Sequence, residues 1–259
     1  MLFVTYNNFI SQPLNIRFIK QRIQIMILNV ENLHKAFNKK TVLNNLSYRF
    51  EKGKIYGILG RNGAGKTTLF NCIIRELGID EGKISLIENK QERELTFEDT
   101  GMVSASPVLP EFLTGYEFIT YFLQFNQGNQ MANEQKVIEY FNLFNIEESD
   151  QHKLIKNYSY GMKNKLQLLC CLIRNPEIIL LDEPLSSFDI IVSHDIKERL
   201  IQMKQDHIIL MSTHILQLAT DVCDEILLLK NGQLTGFDWR SDNQEENEMY
   251  LIEALKSES

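Results

Sequence analysis

The stretch "GRNGAGKTT", Gly60 to Thr68, decides how the rest of the chain is read. Its glycines, Gly60, Gly63 and Gly65, cannot fill a core, but they let the backbone turn so that consecutive N–H groups converge on one point. Ahead of them "KIYGILG" reads as a compact apolar strand. Behind them "KTTLFNCIIREL" has helical spacing, with Leu69, Cys72, Ile73 and Leu77 on one face. A glycine loop at a strand-to-helix junction adds the positive end of the helix to those amides, which is the chemistry of phosphate binding. In the pattern G-x-x-x-x-G-K-[ST], Lys66 is expected to reach the β and γ phosphates of a nucleotide and Thr67 to give its hydroxyl to Mg2+. Asn62 and Ala64 leave room for the loop to wrap, and Thr68 joins the binding set.

A magnesium nucleotide also needs a carboxylate on a neighbouring strand, so that the ion is oriented from its other side. "EIILLDEP" supplies Asp182 and Glu183 at the carboxyl end of an apolar strand, where ligands bind in open α/β sheets. Asp182 is expected in the Mg2+ shell, and Glu183 to polarise an attacking water. "HIILMSTH" is a second such strand, and wholly apolar runs of this length suit parallel strands covered on both faces. Runs at 27–33, 42–50 and 83–88, separated by polar turns, read as short, largely antiparallel strands. From about 111 to 174 the period is helical, and the aromatics Tyr116, Phe118, Tyr121 and Phe122 read as a core stripe. "EILLLKNGQL" ends the pattern with a strand and an Asn-Gly hairpin turn.

Composition bounds the partners. The chain has 259 residues, is 44% apolar and 24% charged, and carries a net charge of −7. No general basic field draws it to nucleic acid, and no nucleic-acid partner is expected. The apolar runs are far shorter than the roughly 18 residues of a membrane span. Four cysteines, Cys72, Cys170, Cys171 and Cys223, lack metal-type spacing and read as reduced, buried thiols of a cytosolic protein. Residues 1–25 carry Arg17, Lys20 and Arg22 without an acid and are expected to lie outside the core. Residues 26–236 are expected to form the folded core, with a helical part at about 105–174. Residues 237–259 form an acidic tail, expected to be a solvated helix.

These motifs in this order resemble the nucleotide-binding subunit of ATP-binding cassette (ABC) transporters, over about residues 27–236. "YSYGMKNKL" is similar to the family signature at Ser159 and Gly161, "LSSFD" to the D-loop at Asp189, and "STH" to the switch histidine at His214. Phe37, in "HKAFNKKTVL", stands where the family carries an aromatic that stacks on adenine. The resemblance implies an α/β fold: a P-loop NTPase core with a mainly parallel sheet, an N-terminal antiparallel β-subdomain and an inserted α-helical subdomain. It implies ATP and Mg2+ as ligands, and ATP hydrolysis with Glu183 and His214 setting the water. Two cassettes would close on two ATP molecules, each between the Gly60 loop of one subunit and the Ser159 region of the other. It also implies a separate transmembrane permease, a place on the cytoplasmic face of the cell membrane, and similarity to bacterial drug and peptide export cassettes.

Two departures stand out. Tyr160 replaces the first glycine of the signature. Ala105 occupies the position where the family usually carries a glutamine or an acid, leaving Ser104 and Ser106 as the nearby hydroxyls for a magnesium-bound water. They motivate one rival reading, a cassette that binds ATP without efficient hydrolysis. Another is a soluble ATPase clamp, for example in iron-sulfur assembly; the tandem cassettes of ribosome-acting relatives and the long coiled coil of DNA-repair relatives have no counterpart in this sequence.

Overall fold

A computed structural model describes residues 25–127, 133–184, 190–237 and 244–256. Asp189 and nearly all of the 1–25 extension lie outside the described residues. The chain begins with β1 (Met26–Phe37), β2 (Lys40–Glu51) and β3 (Ile55–Leu59), then α1 (Lys66–Ile73), β4 (Glu81–Glu88), β5 (Gln91–Glu94) and β6 (Thr100–Val103). A helical stretch follows: α2 (Gly115–Gln127), α3 (Glu134–Leu143), the single turn α4 (Glu148–Gln151) and α5 (Tyr160–Arg174). The last part runs β7 (Ile178–Asp182), α6 (Ile190–Met203), β8 (Ile208–Thr213), α7 (Leu216–Val222), β9 (Glu225–Lys230), β10 (Gln233–Gly236) and α8 (Gln244–Lys256).

Two sheets result. β2-β1-β4-β5 is antiparallel throughout. β10-β9-β3-β8-β7-β6 is parallel except for the β9–β10 hairpin. The apolar runs of β7 and β8 have a direct cause: each strand divides its side chains between two cores. Ile178 and Leu180 of β7, with Ile208 and Leu210 of β8, pack with α1 and the antiparallel sheet, where Leu28, Phe50 and Phe70 are fully buried. Ile179 and Leu181, with Ile209 and Met211, pack instead with the helical stretch, against Leu166 and Leu169 of α5, Phe141 of α3 and Leu123 of α2. A strand sandwiched in this way has no solvent face, so polar alternation disappears.

Local chemistry sets several boundaries. Asn231 and Gly232 both take left-handed φ, 51° and 76°, as a two-residue turn between twisted antiparallel strands requires. Ser159 caps α5 by accepting from the Met162 amide at 3.2 Å, and Asn133 caps α3 by accepting from Lys136 at 2.8 Å. α1 is shorter than its apolar spacing predicts. Arg75 at φ 64° turns the chain out of the helix, and Leu77, expected on the helical face, packs against the same core from the following loop. Tyr116, Phe118 and Phe122 pack on the helical core, but Tyr121 is exposed, since it lies on the outer side of α2.

The acidic C-terminal segment is helical, as expected, but it is not a solvated tail. In α8, Leu251 is buried with Leu59, Leu216, Ile226 and Phe237, and Tyr250 stacks on Phe237 at 5.2 Å between ring centroids. Lys230 donates to the Ala254 carbonyl at 2.6 Å, so the helix is bonded to β9 as well as packed on it. The cysteines are free thiols, Cys72 and Cys171 buried, Cys170 and Cys223 half-buried. Burial pushes the Cys72 thiol up to about 11 and those of Cys171 and Cys223 up to about 12, which leaves them protonated and unreactive near neutrality.

Candidate functional site: a phosphate loop facing two carboxylates

The glycine loop leaves β3 at Gly60 and enters α1 at Lys66. Gly63 and Gly65 take φ of 81° and 109°, which a side chain would strain. Gly60 is required for a different reason: a Cβ there would sit 2.9 Å from the Leu229 carbonyl oxygen. Gly65 is the N-cap of α1, no side chain accepts from the helix there, and its first turn holds no acid. The positive end of α1 therefore faces the loop without a counter-charge from its own turn.

Lys66 is 6% exposed, and its Nζ donates to the Gly60 carbonyl at 2.8 Å and to that of Arg61 at 3.5 Å. Burial pulls its pKa below the ordinary lysine range, while the charges of Glu183 and Asp182 push it back up. An ammonium held by neutral carbonyls at a cavity wall is prepared for an anion. Thr67 Oγ1 donates to Asp182 Oδ2 at 2.8 Å, joining the start of α1 to the end of β7. The other Asp182 oxygen accepts from Ser212 Oγ at 2.5 Å, and Asp182 pairs with Ser212 in the β7–β8 register. A threonine hydroxyl beside a carboxylate is an all-oxygen donor pair, the set that a hard dication such as Mg2+ takes.

Glu183 follows Asp182 at φ 51°, an uncommon conformation for a residue with a side chain. Its amide is held by the Ser212 carbonyl at 3.2 Å and by Ser212 Oγ at 3.1 Å. With the backbone fixed from the adjacent strand, Glu183 Oε2 lies 2.9 Å from Nδ1 of His214, just past the end of β8. Ser212 is a site residue that motif reading missed. The available signal is that it ends an apolar strand beside the one ending in Asp182.

Phe37, Asn62, Gly63, Gly65, Lys66, Thr67, Thr68, Asp182 and Glu183 line one cavity of about 350 Å3, together with Val42 and Ala105. Ala64 turns inward and packs on the core beneath the loop. The Phe37 ring is 43% exposed at the end of β1. The Lys35 ammonium lies 5.3 Å from its centroid and pairs with Asp80 at 2.9 Å, while Asp80 also accepts from the Ala36 amide at 2.7 Å. Thus Asp80 holds the strand end that carries Phe37.

Ser159 and Gly161 are not part of this cavity; they stand at the N-terminus of α5. Ala105 forms the cavity wall at its position, and neither Ser104 nor Ser106 does. The Ser104 hydroxyl accepts from the Ser106 amide at 3.2 Å, which closes a local turn. Neither serine hydroxyl therefore lines the cavity beside Ala105.

The ABC transporter family model matches residues 43–186 of this chain. An uncharacterized ABC transporter ATP-binding protein of Bacillus subtilis, YxlF, is 30% identical over 220 residues, spanning 85% of this chain and 72% of its own length. The bacitracin transport ATP-binding protein BcrA of Enterococcus faecalis is 29% identical over 212 residues, 80% of this chain and 68% of its own. Among solved structures, the ATP-binding subunit of an ABC transporter superposes with a TM-score of 0.73 at 24% identity, over 87% of this chain and 99% of that one. A dimeric ATP-binding cassette in a post-hydrolysis state with ADP and Pi superposes at 0.70 and 22% identity, over 83% of this chain and 99% of its own. With the phosphate loop, paired acids and sheet order already in place, these likenesses have one meaning: the chain belongs to the ABC transporter family, as an ATPase cassette.

Proposed function

We propose that the chain binds MgATP in the Lys66 cavity and hydrolyses it as one half of a cassette pair that drives a separate membrane permease in the export direction. One observation carries the reading: a buried lysine, a helix start and two strand-end carboxylates converge on the same cavity. Lys66 and the amides of residues 60–67 bind the β and γ phosphates, and Phe37 stacks on the base. Thr67 and Asp182 would hold Mg2+, which when bound supplies positive charge to the phosphate oxygens. Glu183 orients and deprotonates the attacking water, and His214, 2.9 Å from its carboxylate, holds that carboxylate in place. This contact supports hydrolysis over binding without turnover. Ser159, Gly161 and Asp189 serve the nucleotide held by the opposite cassette.

A second feature supports a membrane partner over a soluble scaffold. Beside the helical stretch lies an apolar groove of about 320 Å3 whose lining includes Phe97, Val108, Phe118, Phe122 and Phe125. Val108 and Phe125 are 92% and 90% exposed, an unusual state for such side chains on a chain that works alone. No helix of the described residues is long and apolar enough to cross a membrane, and an apolar segment of the permease on the cytoplasmic side fits this groove. The core domain is residues 26–236, with the helical subdomain at about 105–174 carrying the groove.

Val108→Asp and Phe125→Asp should each abolish co-purification with the membrane protein while leaving ATP affinity within about twofold, because the groove and the Lys66 cavity share no lining residue. Retained co-purification in both variants rejects this docking site. For cargo, the name of BcrA supports a peptide antibiotic of the bacitracin type. Cells producing the cassette with its permease should tolerate more bacitracin than cells carrying the same pair with Lys66→Ala. Equal tolerance removes that cargo.

A further inference from the structure

Tyr160, where the family signature carries glycine, is 42% exposed, yet its hydroxyl is engaged: it donates to the Ala105 carbonyl. That joins the first turn of α5 to the residue that forms the cavity wall beside Glu183. Two turns further along the helix, the Gln167 carboxamide accepts from the Ser104 amide at 3.2 Å and donates to the Ser104 carbonyl at 3.1 Å. Gln167 also donates to Asn164 Oδ1 at 3.2 Å, and Asn164 is 2% exposed. Residues 160, 164 and 167 share one helix face. That face is polar and is fastened to the backbone that runs out of β6 to Ala105, with no need of a side chain at 105.

We propose that Tyr160 is a positioning residue, tying the signature end of α5 to the wall of its own subunit's nucleotide cavity through the Ala105 carbonyl, with Gln167 as the second fastening. The signature helix and segment 104–106 then move as one body. When a nucleotide displaces the wall at Ala105, Ser159 and Gly161 move with it. A methyl side chain at 105 cannot grip a phosphate-bound ion, so the backbone transmits the displacement in its place.

The effect on turnover rests on the proposed pairing of cassettes; the fastening itself does not. Tyr160→Phe keeps the ring and removes only the hydroxyl. In the purified full chain its amide exchange at 104–106 should be faster than wild type without nucleotide, and its ATP Kd should stay within about twofold. With the permease, kcat should fall about fivefold, the loss expected for one neutral hydrogen bond acting on the transition state alone. Gln167→Leu should act in the same direction, and the double variant should lose less than the product of the two, because both hold one segment. Wild-type exchange and wild-type kcat in Tyr160→Phe overturn the proposal. So does a loss confined to thermal stability or to ATP affinity, which is what simple packing of the ring predicts. Exchange is measured without turnover, so it tests the fastening even if Lys66→Ala leaves ATP binding intact, the result that defeats the nucleotide-site reading.

Discussion

Lys66→Ala should raise the Kd for MgATP by about 100-fold or more and abolish turnover. The side chain is expected to give two hydrogen bonds to phosphate oxygens. At about 1.5–3 kcal/mol for a bond to a charged group, their joint loss reaches that range. The same substitution should cost the nucleotide-free fold little. Burial already pulls the Lys66 pKa down, so the ammonium is held against a desolvation cost that only the two acids and the loop carbonyls offset. Lys66→Met, which keeps more of the buried volume, separates the effects: its thermal midpoint without nucleotide should equal or exceed wild type, and ATP should no longer raise it. Titration calorimetry of both variants is the direct measurement. Unchanged affinity in either would mean that the phosphates lie elsewhere.

Glu183→Gln should leave ATP affinity within a few-fold and lower kcat by about 10²–10⁴, the usual contribution of a positioned general base. The amide is isosteric and can keep the His214 contact of 2.9 Å, but it cannot take a proton. ATP-loaded protein should accumulate, seen as retained nucleotide on gel filtration. His214→Ala should lower kcat less, since it acts through Glu183, and the double variant should be little worse than Glu183→Gln alone, because residues that work as a unit are not additive. Phosphate release from the cassette reconstituted with its permease gives these rates. Equal rates for wild type and Glu183→Gln would remove Glu183 from the chemistry.

Much of the site was legible because its chemistry depends on adjacent residues. The glycine loop, Lys66 and Thr67 are contiguous, and Asp182 and Glu183 end one apolar strand. The mostly parallel sheet was legible for a similar reason, since β7 and β8 are apolar on both faces. What stayed hidden depends on contacts between distant segments. β5 and β6 are four-residue strands, and "QERE" has no apolar alternation because β5 is an edge strand. Ser212 gains its role only through register with Asp182. The Tyr160 and Gln167 bonds span 55 and 63 residues, so no spacing rule detects them. α8 misled through composition: a mostly acidic segment reads as solvated, yet Leu251, with Tyr250 and Ala254 beside it, anchors one face of it in the core.

That anchor has a further consequence. Leu251 shares its cluster with Leu59, the last residue before the glycine loop, and with Leu216, two residues past His214. The hindmost helix thus braces the ends of β3 and β8, two of the three strands whose ends carry the proposed site. Fraying at the carboxyl terminus would loosen the grip on phosphate from behind, without any change in the side chains that touch it.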